Sequence, residues 1–260
     1  MKIIYKLLFL FLLTIGYSSC DFLDIVPDEI TTEADAFKDR NAAKNFVYSC
    51  YGYLPQSNVA SGSLDLLTGD EVITAFEHET FASFPKGNYT ASSPVISYWN
   101  TFFQGLRQCY IFLENVDKVP DLTESVKTDY IAQVKFLIAY YHYQLARCYG
   151  PIILIKELPD VNASQAEYLP RTSYDECVDW ICNLLDEAAS SLPAIRTNKE
   201  DYGLATSVGA KAVKAKMLLY AASPLFNGNS SFYSNFTDKS GSQLMPLTYD
   251  PNKWVKAKTA

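Results

Sequence analysis

Five stretches of the chain place their large apolar residues at three- and four-residue steps, and each is closed by a proline. That spacing lines the residues along one face of an α-helix and does not fit the two-residue alternation of a half-buried strand. The first stretch runs from about Ala34 to Leu54. Ala43, Phe46, Val47, Cys50, Tyr51 and Leu54 share its face, and Pro55 stops it. The second spans about 95–117, with Trp99, Phe102, Phe103, Leu106, Tyr110, Leu113 and Val116 ahead of Pro120. The third spans about 123–149 and carries Val126, Tyr130, Val134, Leu137, Tyr141, Leu145 and Cys148, with Gly150-Pro151 as terminator. Pro151 to Ile155 then reads as a short extended apolar stretch. Ser173 and Glu176 have the spacing of a capping box, which opens a fourth helix through Val178, Ile181, Leu185, Ala188 and Leu192 to Pro193. A fifth, alanine-rich helix occupies about 206–222 and ends at Ser223-Pro224.

The expected fold is therefore mostly α, built of tetratricopeptide-like antiparallel helix pairs with long loops. Bulky aromatics alternate with alanines as such stacking requires, although no clean repeat of about 34 residues is visible. Residues 55–94 and 224–249 are rich in Ser, Gly, Asn, Thr and Pro and show no long period. Loops of that length in compact proteins are usually functional or disordered.

The two ends carry their own signals. Lys2 and Lys6 precede an almost unbroken apolar run from Leu7 to Ile15, and the small residues Ser18 and Ser19 precede Cys20. This is the form of a secretory signal over residues 1–19. A cysteine directly after small residues predicts a lipoprotein signal, because diacylglycerol is attached through a thioether that only a thiol can supply. Residues 20–33, polar and interrupted by Pro27, read as an extended tether, and residues 34–260 as the helical domain. At the other end Asp250 is a good N-cap and Pro251 a good first helical residue, with Trp254 and Ala257 beginning a face. That helix runs to Ala260 with no C-cap, so the helical domain is expected to be incomplete at its C-terminus, or its partner segment to lie on another chain.

Several function classes are excluded or left without support. The net charge is −7, becoming −9 once residues 1–19 with Lys2 and Lys6 are removed, and no run of Lys and Arg exceeds two. A nucleic-acid-binding face is not expected. There is no GxSxG, HExxH, P-loop or GxGxxG motif, and only two His occur. His78 lies between Glu77 and Glu79, and His142 lies on an aromatic helix. Cys50, Cys109, Cys148, Cys177 and Cys182 form no CxxC and read as small buried thiols. No metal, cofactor or catalytic residue is expected. The one enzymatic alternative is a secreted glycosidase using two carboxylates from Asp70, Glu71, Glu77 and Glu79.

The aromatics are more informative: 19 Tyr, 15 Phe and 3 Trp. Many, such as Tyr130, Tyr141 and Tyr149, belong to helix cores and their ends. A smaller set, Phe81, Phe84, Tyr89, Tyr98 and Trp99, is interleaved with Asp70, Asn88, Asn100 and Arg107. Flat rings that cover the apolar face of a sugar, beside amides and charges for its hydroxyls, are what a glycan site needs. Asp70, Tyr89, Tyr98, Trp99 and Asn100 are the candidate ligand-binding residues. Trp99 reads more readily as the first core residue of its helix than as a ligand contact.

Four segments resemble the SusD/RagB family of outer-membrane nutrient-uptake lipoproteins. They are SSCDFLDIVP at 18–27, QVKFLIAYYHYQLARCYGPIILI at 133–155, LPRTSYDECVDWICNLLDEAASSLP at 169–193 and GAKAVKAKMLLYAASPLFNG at 209–228. One departure is Ile138, where the family usually has Arg. The resemblance implies the SusD-like α superhelical fold and attachment to the cell outer membrane through lipid on Cys20, facing the exterior. It implies capture of an oligosaccharide or peptide, delivered to a SusC-like TonB-dependent transporter. An alternative is a helical adaptor of that transporter with no ligand site of its own.

Overall fold

The structure, a computed structural model, describes residues 33–55, 68–69, 72–76, 78, 80–90, 92–95, 97–160, 162 and 169–260. The chain divides into two units at Ala36/Phe37. In the first, one turn of helix is described, α1 (Glu33–Ala36).

The second unit is built from α2 (Arg40–Tyr51), α3 (Trp99–Asn115), α4 (Glu124–Tyr149), α5 (Tyr174–Ser191), α6 (Ser207–Ala222), the short α7 (Ser230–Tyr233) and α8 (Asn252–Thr259). Among the described residues there is no strand; Thr237 and Gln243 make an isolated antiparallel bridge. Packing follows chain order: α2 on α3, α3 on α4, α4 on α5, α5 on α6 and α6 on α8. Alternate helices also touch, α2 with α4 and α4 with α6. Contacts to both the next helix and the one after are what stacked helix pairs produce, and the fold is mostly α and tetratricopeptide-like as expected.

α4 is the hub. Its 26 residues extend about 39 Å. From Ala132 to Ala146 it buries residues around most of its circumference, Gln133, Tyr141, His142, Tyr143 and Gln144 among them. A helix buried on most faces must satisfy its polar groups internally. The Tyr141 hydroxyl donates to the Cys50 carbonyl of α2. The Tyr51 hydroxyl donates to Gln133 Oε1 at 3.0 Å and accepts the Ala205 N–H at 2.9 Å. Gln133 Nε2 donates to Asp129 at 2.8 Å, and Asp129 is held by both Nη atoms of Arg196 at 2.8 and 2.9 Å. This network ties α2, α4 and the segment before α6 together.

Four local expectations are corrected. The first expected helix is broken: it restarts at Arg40, because Asp39 turns to extended backbone and its carboxylate accepts the Ala42 N–H at 2.8 Å. Phe37 is thereby buried against Phe46, at 4.9 Å between ring centroids. The second helix begins at Trp99, not near 95. The Ser173–Glu176 capping box does not form. Ser173 makes no side-chain cap bond; the first amide of α5, Tyr174 N–H, goes to the Leu244 carbonyl at 2.9 Å, and Glu176 faces Lys156 at 3.9 Å. Pro251 is the cap of α8 and not its first residue, while Asp250 accepts the Asn252 N–H at 2.9 Å. No helix among the described residues is long and apolar enough to cross a membrane.

Candidate functional site

α3 begins where α4 ends, and aromatic residues occupy both termini. Tyr98, the residue before α3, offers no side-chain cap. The first amides of a helix lack intrahelical partners, and here a phenol from the neighbouring helix serves them. The Tyr149 hydroxyl accepts the N–H of Tyr98 at 2.9 Å and that of Trp99 at 3.1 Å. The Trp99 ring meets Tyr149 edge-on at 5.2 Å and lies 4.9 Å from Phe103. The Arg171 guanidinium sits over it at 5.5 Å, a cation on the electron-rich face of an indole.

From Tyr98 the rings continue outward. Tyr98 stacks on the fully buried Phe102 at 5.1 Å. It also packs, with Phe84, Val95 and Cys148, against the buried Phe81. Burial raises the pKa of the Tyr98 phenol above its ordinary value. Phe81 and Phe84 stack at 6.3 Å, and Phe84 meets Tyr89 at 5.2 Å. Tyr89 is 50% exposed. It is aimed by a tight turn: Asn88 N–H bonds to the Ser83 carbonyl and Gly87 N–H to the Phe84 carbonyl, both at 3.0 Å, with Gly87 at φ +67°. This is the Schellman arrangement, which favours glycine at its left-handed position. The result is a shelf of rings, anchored in the core at Phe81 and Phe102 and open to solvent at Tyr89.

The candidate residues are thus distributed unevenly. Tyr98 and Trp99 adjoin each other and are half-buried, Asn100 is exposed beside them, and Tyr89 stands at the outer edge. Asp70 lies outside the described residues, as do Cys20 and the carboxylates Glu71, Glu77 and Glu79. Two residues that hold the shelf were not read as site residues. In the sequence Tyr149 marks a helix end, and Arg171 carries no local signal beyond its place before α5.

A second concavity was not foreseen. A groove of about 870 Å³ lies between α2, the start of α4 and residues 191–204, lined by Arg40, Lys44, Tyr48, Tyr130, Asp201 and others. Tyr48, 37% exposed, has the Lys44 ammonium over its ring at 5.5 Å. The groove assembles from three distant segments, so no spacing in the sequence announces it.

Among the described residues His142, Cys50, Cys109, Cys177 and Cys182 are buried, while Cys148 is half-buried and His78 exposed. His142 is inaccessible, with Nδ1 on the Ile138 carbonyl at 2.8 Å and Nε2 accepting the Ile155 N–H at 3.1 Å. Burial lowers its pKa to about 4. Burial also pushes the Cys177 thiol up to about 11 and Cys182 to about 12, far from the thiolate a nucleophile requires. Among the described residues no group of three His, Cys, Asp or Glu could hold a metal ion.

Comparison with known proteins bears on this geometry. A SusD-like family model, described as starch-binding associating with outer membrane, matches residues 21–219. The SusD-like protein P25 of Formosa agariphila is 23% identical over 230 residues, covering 84% of this chain and 43% of that protein. The solved structure of BT4246 superposes with a TM-score of 0.76 at 35% identity, covering 85% of this chain and 38% of the other. A laminarin-binding SusD-like protein shares the fold with a TM-score of 0.59 at 22% identity, covering 72% of this chain and 41% of its own. The chain spans less than half the length of these relatives.

Proposed function

The chain belongs to the SusD-like family of starch-binding proteins that associate with the outer membrane, and from that membership we propose that it captures a glycan at the aromatic shelf without cleaving it. The observation that carries this reading is the Phe84–Tyr89 pair, which offers a half-exposed ring on a backing fixed to the core. A pyranose presents an apolar C–H face that such a ring covers, while Asn88 and Asn100, both exposed, supply amides for hydroxyls. Laminarin binding by a protein of the same fold supports a glycan as the ligand class.

The captured glycan would pass to a SusC-like TonB-dependent transporter. The chain would be held at the outer membrane, facing outward, by lipid on Cys20. Each buried lipid methylene contributes about 0.8 kcal/mol, so multiple acyl chains anchor stably, and residues 20–33 would tether the domain as it swings.

The test is titration of the chain with a panel of soluble glycans and peptides, followed by chromatography of the mixtures. Saturable glycan binding with unchanged glycan is expected; shortened products would refute capture without turnover. Binding of no panel member, with co-purification of a transporter, would favour a ligand-free adaptor. Cys20→Ala tests the anchor: membrane partition that persists after the change would exclude it.

A further inference from the structure

We propose that Arg171 is an anion-recognising group of the aromatic shelf, and that the glycan taken there carries a carboxylate or a sulfate. The proposal rests on the glycan-capture reading and adds the class of sugar.

The guanidinium of Arg171 is fixed before any ligand arrives. Nη1 donates to the Pro151 carbonyl at 3.0 Å and to the Tyr149 carbonyl at 3.3 Å. The group lies over the Trp99 ring at 5.5 Å. The two carbonyls and the indole set its position and plane, yet the residue stays exposed. Those bonds account for Nη1 alone. Nε and Nη2 have no partner among the described residues, and no carboxylate among them pairs with Arg171. Elsewhere Arg196 closes both Nη atoms on Asp129, and Lys135, Lys214 and Lys253 each meet a carboxylate.

A guanidinium offers a planar fork of donors that matches two oxygens of a carboxylate or sulfate, and charge-assisted bonds of this kind are stronger than neutral ones. A fork already held in place loses little conformational freedom on binding. An acidic sugar seated beside Trp99, at the inner end of the shelf, would meet the guanidinium of Arg171 with its anionic group; a neutral sugar would leave the charge unanswered.

Titration of the full chain with three hexasaccharides tests this: neutral laminarihexaose, hexagalacturonate for carboxylate and a chondroitin sulfate hexasaccharide for sulfate, each at low and high NaCl. At least one acidic probe is expected to bind about ten-fold tighter than the neutral one. That advantage should shrink at high salt, disappear in Arg171→Gln and survive in reduced form in Arg171→Lys. Equal affinity of wild type for neutral and acidic probes, or an acidic advantage that persists in Arg171→Gln, would overturn the proposal. Neutral-only binding removes the anion role and leaves glycan capture standing, whereas binding of none of the three removes both. If Arg171→Gln does not fold, the wild-type comparison still overturns the proposal when neutral and acidic probes bind equally, and Arg171→Lys carries the assignment to this residue.

Discussion

The hydroxyl of Tyr149, the last residue of α4, accepts the backbone N–H of Trp99, the first residue of α3, at 3.1 Å. One phenol therefore caps a helix it does not belong to, and the same residue supplies an aromatic edge to the Trp99 ring. The start of α3 and the outer ring shelf are positioned by the end of α4.

Tyr149→Phe keeps the ring and removes only the cap. Losing an N-cap acceptor costs about 1 kcal/mol. A urea titration should show a lower midpoint with an unchanged slope. An unmoved midpoint would mean that solvent or another group caps α3 equally well.

The imidazole of His142 joins α4 to the extended stretch at Ile155, with Trp180 edge-on at 4.8 Å. Burial lowers its pKa from 6.5 to about 4. The folded state thus binds fewer protons than the unfolded state between those values. The stabilisation from the neutral ring is fully present above about pH 6.5 and is lost as pH falls toward about 4. Protonation also turns Nε2 into a donor facing the Ile155 N–H. Melting temperature should fall over that window in the wild type, and His142→Gln should show a shallower fall. Parallel profiles for the two proteins would refute the assignment.

Asp129 and Arg196 form a two-pronged ion pair whose side chains are 26% and 11% exposed. Asp129→Ala strands a nearly buried guanidinium beside the Ala205 carbonyl and should cost about 2–3 kcal/mol by denaturant unfolding. The double variant Asp129→Leu with Arg196→Met removes the stranded charge and should recover part of that loss. A double variant less stable than the single one would contradict this account.

Much of this architecture is legible in the sequence because it is local. The apolar steps of α4 and α6 and the prolines behind them mark helices directly, and the Phe81–Tyr89 stretch shows its rings, though not the turn at Gly87 that aims Tyr89. What is not legible depends on segments meeting across the fold. Arg171 reaches Trp99 across 72 positions of sequence. The Leu244 carbonyl, from another loop, takes the first amide of α5. The groove at Tyr48 needs α2, α4 and residues 191–204 together. Spacing reports which face of a helix is apolar; it does not report what arrives at that helix's end.

Thiol reactivity checks the burial pattern. Cys50, Cys109, Cys177 and Cys182 are buried, whereas Cys148 is half-buried against Phe81. Burial raises Cys109, Cys177 and Cys182 well above the ordinary thiol range. In native protein at pH 8, iodoacetamide should modify Cys148 before the other four, and urea should expose all five. Peptide mapping by mass spectrometry reads the order; modification of Cys177 as fast as Cys148 would show that α5 does not pack as described.

The most direct test of glycan capture at the shelf compares two tyrosines against one bound glycan. Tyr89→Ala removes the exposed ring of the shelf, and Tyr48→Ala removes the exposed ring of the groove; both sit at the surface and leave the core intact. Stacking of a nucleobase on a single aromatic is worth about 1–3 kcal/mol; with a comparable contribution from the sugar face on Tyr89, calorimetric titration should show Tyr89→Ala weakened about ten-fold and Tyr48→Ala unchanged. Full affinity in Tyr89→Ala, with loss in Tyr48→Ala, would place the ligand in the groove and contradict the account.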